Sequence, residues 1–124
     1  MNLSAYDHDL ERNPANFQSL TPLSFLARAA AVFPARIAII HGDLQRSYRD
    51  FYARSRQLAS ALERKGIKQG DTVSVMLANS PAMLEAHYGV PMTGAVLNTL
   101  NTRLDAPILA FMLDHADAKA VIVD

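Results

Sequence analysis

The 124 residues predict an α/β fold: a partial layered sheet with βαβ units and a small hairpin. The strongest observation is the stretch 71–101, which has the pattern strand, helix, strand. Residues 72–77 and 95–100 are short apolar runs, as expected of strands buried on both faces. Two parallel strands joined by a helix form a right-handed crossover. The chain then alternates once more, from a helix to a final strand at 119–124.

A helix and a hairpin are predicted before this unit. Thr21-Pro22 favours a helix start, because threonine can cap the helix and proline needs no N–H at its first position. Pro34 ends this helix. Residues 36–41 and 44–48 flank the turn Gly42-Asp43 and are typical of paired strands.

The longest predicted helix spans residues 50–65, and Gly66 closes it. Its inward face follows the helical spacing of five residues: Phe51, Ser55, Leu58, Ala59 and Leu62.

Two further helices have their own start and stop signals. Ser80-Pro81 begins the first, with the serine accepting from an orphan amide, and Thr93-Gly94 ends it. Asp105 caps the second, which runs to about His115. Its predicted inward residues are Ile108, Leu109, Met112 and Leu113.

Composition is that of an ordinary soluble globular protein, with 50% hydrophobic and 19% charged residues. The 12 basic and 12 acidic side chains balance, which argues against nucleic acid as the main partner. The absence of cysteine excludes disulfides and thiol chemistry. No apolar run reaches the roughly 18 residues of a membrane span, and the polar amino terminus is unlike a signal peptide. We therefore expect a cytoplasmic location.

The domain organisation predicted from these patterns is an amino-terminal arm at 1–20 and one incomplete α/β unit at 21–124. The final strand at 119–124 is apolar, and both of its faces would need cover. The strands at 72–77 and 95–97 would be uncovered on one face for the same reason. We therefore expect the chain to be a fragment.

Isolated polar residues offer candidate sites, but a structural role explains each of them more simply. Asp7-His8-Asp9 could grip a metal, yet it lies on a polar terminus, and the four histidines lack metal-ligand spacing. His87 is more simply a packed or surface histidine than a catalytic base. Asp114-His115 resembles an orienting acid and its base, but no serine elbow accompanies it, and a helix end favours the histidine by its dipole.

Two larger polar groups also have both a structural and a functional interpretation. The run 98–103 (Asn-Thr-Leu-Asn-Thr-Arg) could hold a turn through hydrogen bonds from its side chains to the backbone. Alternatively, its side chains could face a cleft and recognise a substrate. We favour the turn. Basic residues of the long helix could contact phosphate, but a solvated face is the simpler interpretation. These residues are Arg49, Arg54, Arg56, Arg64 and Lys65.

Three phrases carry a family resemblance: TPLSFLARAAAVFP, the stretch from RSYRDFYARS to LNTLNTRLD, and AFMLDHADAKAVIVD. They resemble the amino-terminal portion of the adenylate-forming (AMP-binding) superfamily. Arg46-Ser47-Tyr48 with the helix at Phe51 is similar to its first core motif, and residues 91–100 to its second. The sequence around residues 81–87 and 97–103 is most similar to the fatty-acyl-CoA synthetase branch of this superfamily.

The resemblance implies a two-step reaction of a ligase. A carboxylate attacks the α-phosphate of ATP in the presence of Mg²⁺, which gives acyl-adenylate and pyrophosphate. The thiol of coenzyme A then displaces AMP. ATP, Mg²⁺ and coenzyme A are therefore the implied cofactors, and a carboxylic (fatty) acid is the implied substrate.

The family's catalytic motifs are absent from this sequence. They are the Ser/Thr/Gly-rich phosphate loop ending in Pro-Lys-Gly, the Tyr-Gly-x-Thr-Glu segment, the ribose-binding aspartate and the carboxy-terminal lysine. Lys65, Lys68 and Lys119 match none of them. We therefore predict no catalytic, cofactor-binding or metal-binding residue in this chain, and no productive cofactor binding.

Two hypotheses follow from the sequence. The chain is the amino-terminal part of an acyl-CoA synthetase, itself inactive, or it is a stand-alone, truncated, non-catalytic α/β protein that binds a partner or small molecule. A reading frame that continues into the phosphate loop would favour the first.

Overall fold

The computed structural model describes residues 11–124, so the metal hypothesis for Asp7-His8-Asp9 lies outside the described residues. Residues 11–20 are exposed and form a turn flanked by irregular backbone. The predicted element order is confirmed: helix, hairpin, helix, then three strands alternating with two helices. The elements are α1 (Pro22–Val32), β1 (Ile37–His41), β2 (Leu44–Ser47), α2 (Tyr48–Arg64), β3 (Thr72–Met76), α3 (Pro81–Met92), β4 (Val96–Thr99), α4 (Ala106–His115) and β5 (Ala118–Val123).

The strands form two separate sheets. β1 and β2 pair as an antiparallel hairpin. β3 is the centre of a parallel sheet in the order β4-β3-β5. Because β4 and β5 lie on opposite sides of β3, the crossover through α3 and the crossover through α4 run in opposite directions. Right-handed crossovers then place α3 and α4 on opposite faces of the sheet. In residues 11–124, no helix has the length and apolar character needed to cross a membrane.

Helix α2 begins two residues earlier than predicted, because Ser47 rather than a later residue is its cap. The Ser47 hydroxyl accepts from the Asp50 amide at 3.2 Å and donates to the Asp50 carboxylate at 2.7 Å. The Ser47 amide also donates to that carboxylate, which completes a capping box. These hydrogen bonds from Ser47 lower the pKa of Asp50. Gly66, with φ +89°, follows the helix in a left-handed conformation that suits glycine.

Other predicted details of the helices are wrong. Neither Thr21 nor Ser80 makes a side-chain capping bond. At Ser80 it is the backbone carbonyl that accepts, from the amides of Met83 and Leu84.

The predicted cap of α4 is confirmed, because the Asp105 side chain accepts from the Ile108 amide at 3.2 Å. The Ile108 side chain is exposed rather than inward, while the other predicted inward residues of α4 are half-buried.

The main core lies between the parallel sheet and the helices α2 and α3. Val73 and Val75 of β3 are fully buried there, with Val90 of α3 and Leu62 of α2. Ser74, on the opposite face of β3, is also fully buried. The expectation that the strand at 72–77 is uncovered on one face is therefore wrong at Ser74, which lies on the face that the crossover through α4 passes, while Thr72 and Met76 on that face are half-buried. Within the parallel sheet, the exposed large hydrophobic residues are Val96 of β4 and Val121 and Val123 of β5.

Helices α2 and α3 cross at a glycine. A Cβ built on Gly89 would lie 2.8 Å from Leu58 Cδ2 and 2.9 Å from the Ser55 carbonyl oxygen. Ser55 is fully buried at this crossing, and its hydroxyl donates to the Phe51 carbonyl at 2.9 Å. A serine that bonds its own helix can be buried without an unsatisfied hydroxyl. The small side chains at this point therefore allow the two backbones to approach closely.

A buried carboxylate ties α3 to α2 and to the hairpin. Glu85 of α3 has only 8% of its side chain exposed, and it accepts from Arg54 Nε at 2.6 Å. Arg46 Nε of β2 lies 3.6 Å from the same oxygen. The bond to Glu85 raises the pKa of Arg54. Burying a carboxylate is costly unless it is paired, so the two arginines make this position tolerable.

We expect Gly89→Ala to destabilise the fold by about 1–3 kcal/mol, because the added methyl would overlap backbone and side chain of α2. At an open helical position the same change would instead stabilise by about 1 kcal/mol, since alanine is the better helix former. The sign of the change in the free energy of unfolding, measured in urea melts, therefore distinguishes a close crossing from an open position. A stabilised variant would contradict the close crossing.

We expect Arg54→Ala to cost about 1–3 kcal/mol, which is below the loss for a fully buried pair because Arg54 is 45% exposed and partly screened by solvent. The matched control is the same change in a Glu85→Gln background, where no buried charge is left unpaired. There the cost should fall to less than half. Urea melts of the four proteins measure the coupling, and additive effects would show that the pair is energetically irrelevant.

Candidate functional site

The carboxyl ends of the parallel strands meet at one edge of the sheet, where ligands bind in many α/β proteins. The loops after β3 and β4 begin there, and the chain leaves β5 at Asp124. The Asp124 carboxylate accepts from the Ala78 amide at 2.9 Å, so it holds the loop after β3. The Leu100 amide donates to the Val75 carbonyl at 2.9 Å, so the loop after β4 is anchored on the central strand. This edge is the candidate site.

Two open cavities adjoin this edge and share the residues Asn79, Met83 and His87. The first, of about 360 Å³, is mainly apolar and extends to Ile39 and Ile40 of the hairpin. The second, of about 520 Å³, is mainly polar and is bordered by residues 99–103. The two cavities together are called the edge cleft below. It is apolar towards the hairpin and polar towards the loop after β4.

His87 is the titratable group that both cavities share. Its Nδ1 lies 2.7 Å from the Met83 carbonyl oxygen one turn earlier in α3. Because a carbonyl only accepts, Nδ1 carries the proton of this bond, and Nε2 is left as the acceptor of the neutral ring. The side chain is exposed. Of the predicted alternatives, a packed or a surface histidine, the exposed side chain agrees with the second. Among residues 11–124, no acidic side chain lines the cleft beside it.

In the polar run 98–103 the predicted turn bond to backbone is made by Asn101, whereas Asn98 lies within β4 and bonds a side chain of the next strand. Asn98 Nδ2 donates to the buried Ser74 hydroxyl on the neighbouring strand at 3.0 Å. Asn101 Oδ1 accepts from the Arg103 amide at 3.0 Å, which is a side-chain-to-backbone turn bond. Thr102 and Arg103 nevertheless border the edge cleft. Asn98 and Asn101 thus bond within the protein, while the side chains of Thr102 and Arg103 face solvent.

The remaining candidates are not brought into the edge cleft. His115 lies in the last turn of α4, where its ring stacks on Phe111 with centroids 5.5 Å apart. Within the described part of the chain, no hydrogen bond joins its side chain to Asp114. Lys119 pairs with Asp117 at 2.9 Å.

The predicted solvated face of α2 holds for Arg54 only in part, because its side chain is 45% exposed but its Nε also binds the buried Glu85 carboxylate. Arg56 lies over the Tyr52 ring, and Arg64 donates to Ser60. Sequence reasoning missed Glu85 itself. The sequence feature that could have indicated this ion pair is a single acidic residue in the otherwise apolar helix α3, together with the excess of arginine in α2.

The arrangement can position a ligand more readily than it can perform chemistry. Among residues 11–124, the side chains that line the edge cleft supply amide, hydroxyl, imidazole and guanidinium groups, and none of them is Asp or Glu. In the same part of the chain, no three His, Asp or Glu side chains converge as a metal site would require. A triphosphate with Mg²⁺ needs both cationic groups and oxygen ligands for the metal.

Comparison with known proteins shows extensive similarity to one class of enzyme. The chain is 52% identical over 116 residues to the peroxisomal acetate/butyrate–CoA ligase of Arabidopsis thaliana. It is 44% identical to the peroxisomal trans-cinnamate:CoA ligase of Petunia hybrida, also over 116 residues. Each match covers 94% of this chain but 20% of the relative. The chain thus spans about one fifth of the length of these relatives.

Solved structures show the same relation in three dimensions. A protein described as a long-chain-fatty-acid CoA ligase from Rhodopseudomonas palustris superposes with a TM-score of 0.81 and 34% identity. That match covers 86% of this chain and 27% of the solved chain. The o-succinylbenzoate CoA synthetase of Bacillus subtilis, solved with ATP and a magnesium ion, gives a TM-score of 0.77 at 27% identity, covering 81% of this chain and 27% of the solved one.

The predicted resemblance is confirmed by a family model. The model described as "AMP-binding enzyme" matches residues 26–124, which is most of the chain. The match begins within α1 and includes every later helix and strand. The fold and these matches point to the same conclusion: the chain belongs to the AMP-binding enzyme family.

Proposed function

We propose that this chain is the opening part of the acyl-adenylating domain of an acyl-CoA synthetase, with residues 1–20 as an arm. The complete polypeptide joins a carboxylic acid to coenzyme A at the expense of ATP. The carboxylate oxygen attacks the α-phosphorus and pyrophosphate leaves. The coenzyme A thiol then adds to the acyl carbonyl, AMP leaves with the bonding electron pair, and the thiol proton passes to solvent.

One observation supports this proposal more than any other, namely 52% identity to a CoA ligase over 94% of the chain. That similarity favours the ligase over a stand-alone, non-catalytic binding protein. The relatives' names range from acetate and butyrate to cinnamate. We therefore propose a carboxylic acid as the substrate, with the fatty acid predicted from the sequence as one member of that class. The cytoplasmic location stays a prediction, since these relatives are described as peroxisomal.

The role proposed for residues 21–124 is to build one side of the domain rather than to react. No Asp or Glu of the described residues 11–124 lines the edge cleft, and the buried ion pair of Glu85 lies between α3, α2 and the hairpin. We accordingly propose that no residue of this chain is catalytic, holds a metal or binds ATP, Mg²⁺ or coenzyme A productively by itself. The transition state of the first step needs preorganised charge around the triphosphate, which the missing motifs would supply.

We expect the 124-residue chain to show no carboxylate-dependent ATP–pyrophosphate exchange with acetate, butyrate, octanoate or cinnamate. The longer polypeptide encoded by the same reading frame should show exchange with at least one of these acids, and acyl-CoA formation when coenzyme A is added. Exchange above blank by the 124 residues would contradict the proposed division of labour. A longer polypeptide inactive with every acid would overturn the proposed function.

We expect Asn98→Ala and Asn101→Ala in the longer enzyme to lower its melting temperature more than they change KM for the acid. Each asparagine bonds the protein's own groups, and losing such a bond costs about 1 kcal/mol. Arg103→Ala is the matched control, because its side chain borders the cleft from the same loop. It should leave the melting temperature nearly unchanged. Unaltered stability with shifted acid selectivity in the asparagine variants would reverse the assignment.

A further inference from the structure

A groove with two unlike ends lies between α1, the hairpin and the start of α2. Its outer cavity, of about 420 Å³, opens beside the end of α1 and is bordered by the exposed arginines Arg28 and Arg36. Its inner cavity, of about 410 Å³, reaches α3. The two cavities share Phe25, Ala29 and Tyr48, and together they are called the α1 groove below.

The outer end of the α1 groove is cationic. Among residues 11–124, Arg28 and Arg36 are the only charged side chains that line it, and no ion pair in that range involves either of them. A guanidinium group is always charged and binds phosphate oxygens in bidentate geometry. Two such cations with no lining carboxylate balance a dianion better than a monoanion. This favours a phosphate monoester, which carries about −1.5 to −2 charge at pH 7.

The inner end of the α1 groove is apolar. Its floor is the buried cluster of Leu26, Ile39 and Phe51, and no charged side chain of the described range lines it. Phe25 borders both cavities and is 56% exposed, so it offers aromatic surface along the groove. An alkyl chain laid there would remove apolar surface of the chain and of the groove from water. The groove therefore suits a ligand with an anionic head and an apolar tail.

We propose that the α1 groove binds a single-tailed alkyl phosphate, with its dianionic head at Arg28 and Arg36 and its tail along Phe25 towards Phe51. Small-molecule sites are concave and mainly apolar, with a few polar groups that fix the ligand's orientation. A membrane surface is the less suitable occupant, because it needs a protruding apolar face and a basic excess, whereas this chain has zero net charge. The proposal goes beyond the ligase reaction, since this binding needs neither ATP nor coenzyme A.

The test is isothermal titration calorimetry of dodecyl phosphate, below its micelle concentration, into the longer polypeptide without ATP or coenzyme A. We expect a single site, and inorganic phosphate should bind at least roughly tenfold more weakly because it lacks the tail. Arg28→Gln with Arg36→Gln should weaken dodecyl phosphate by roughly tenfold or more. The matched control is Arg64→Gln with Lys65→Gln, which removes the same charge at the carboxyl end of α2. It should change the affinity by less than about twofold.

Ala29→Leu tests the tail separately from the head. Ala29 borders both cavities, and leucine is a good helix former that would narrow the groove at their junction. We expect this variant to weaken dodecyl phosphate by roughly tenfold while inorganic phosphate binds as before. Equal binding of dodecyl phosphate by this variant and the unsubstituted protein would place the tail outside the groove and overturn the proposal.

The other outcomes separate the possible ligands. No binding by the longer polypeptide overturns the proposal, because the groove would be filled in the complete protein. Equal affinities of the double-arginine variant and its control also overturn it, because the binding would then be unspecific. Dodecanoate bound as tightly as dodecyl phosphate rejects the dianionic head. Sedimentation with phosphatidate vesicles, without binding of monomeric dodecyl phosphate, assigns the surface to a membrane instead. Ligase activity is measured in separate samples, so an inactive protein that binds dodecyl phosphate rejects the proposed function and keeps the groove.

Discussion

The packing of α2 and α3 against β3 is the constraint on which the rest of the structure depends. Gly89 lets the two helices approach until only backbone and Leu58 fill the space at the crossing. That approach places Val90 of α3 and Leu62 of α2 together over the central strand. It also brings Glu85 within reach of Arg54, which a wider crossing would not allow. The absence of a side chain at Gly89 is thus a condition of the observed packing between α2 and α3.

The buried carboxylate extends this constraint to the hairpin. Glu85 binds Arg54 of α2 and lies near Arg46 of β2, so three elements are tied at one point. A buried apolar cluster of Leu26, Ile39 and Phe51 also joins α1, the hairpin and α2. An ion pair of this kind is poor evidence of net stability, but packings that bury the Glu85 carboxylate without a partner are strongly disfavoured. The pair therefore fixes the orientation of α3 against α2 and the hairpin more than it adds to the free energy of unfolding.

The position of α3 also shapes the edge cleft. The start of α3 and the loop after β3 lie between the hairpin and the loop after β4, and His87 projects where the two cavities meet. Among residues 11–124, the groups around the cleft include the guanidinium of Arg103 but no Asp or Glu that could hold Mg²⁺. The matching segment makes up about one fifth of the length of the relatives.

The sequence by itself determined the element order, the parallel unit and the family, because apolar period, caps and turn residues are local and the family phrases are contiguous. It also indicated that Asn101 holds a turn, since its bonding partner Arg103 is two residues away, but it did not indicate the bond from Asn98 to Ser74 on the next strand. Tertiary structure alone decided which strand is central, and therefore that β3 is covered while Val96, Val121 and Val123 are not. It likewise decided the partner of Glu85, which is 31 residues away in sequence. Strand order and charge pairing depend on how elements approach in space, and no local pattern records that.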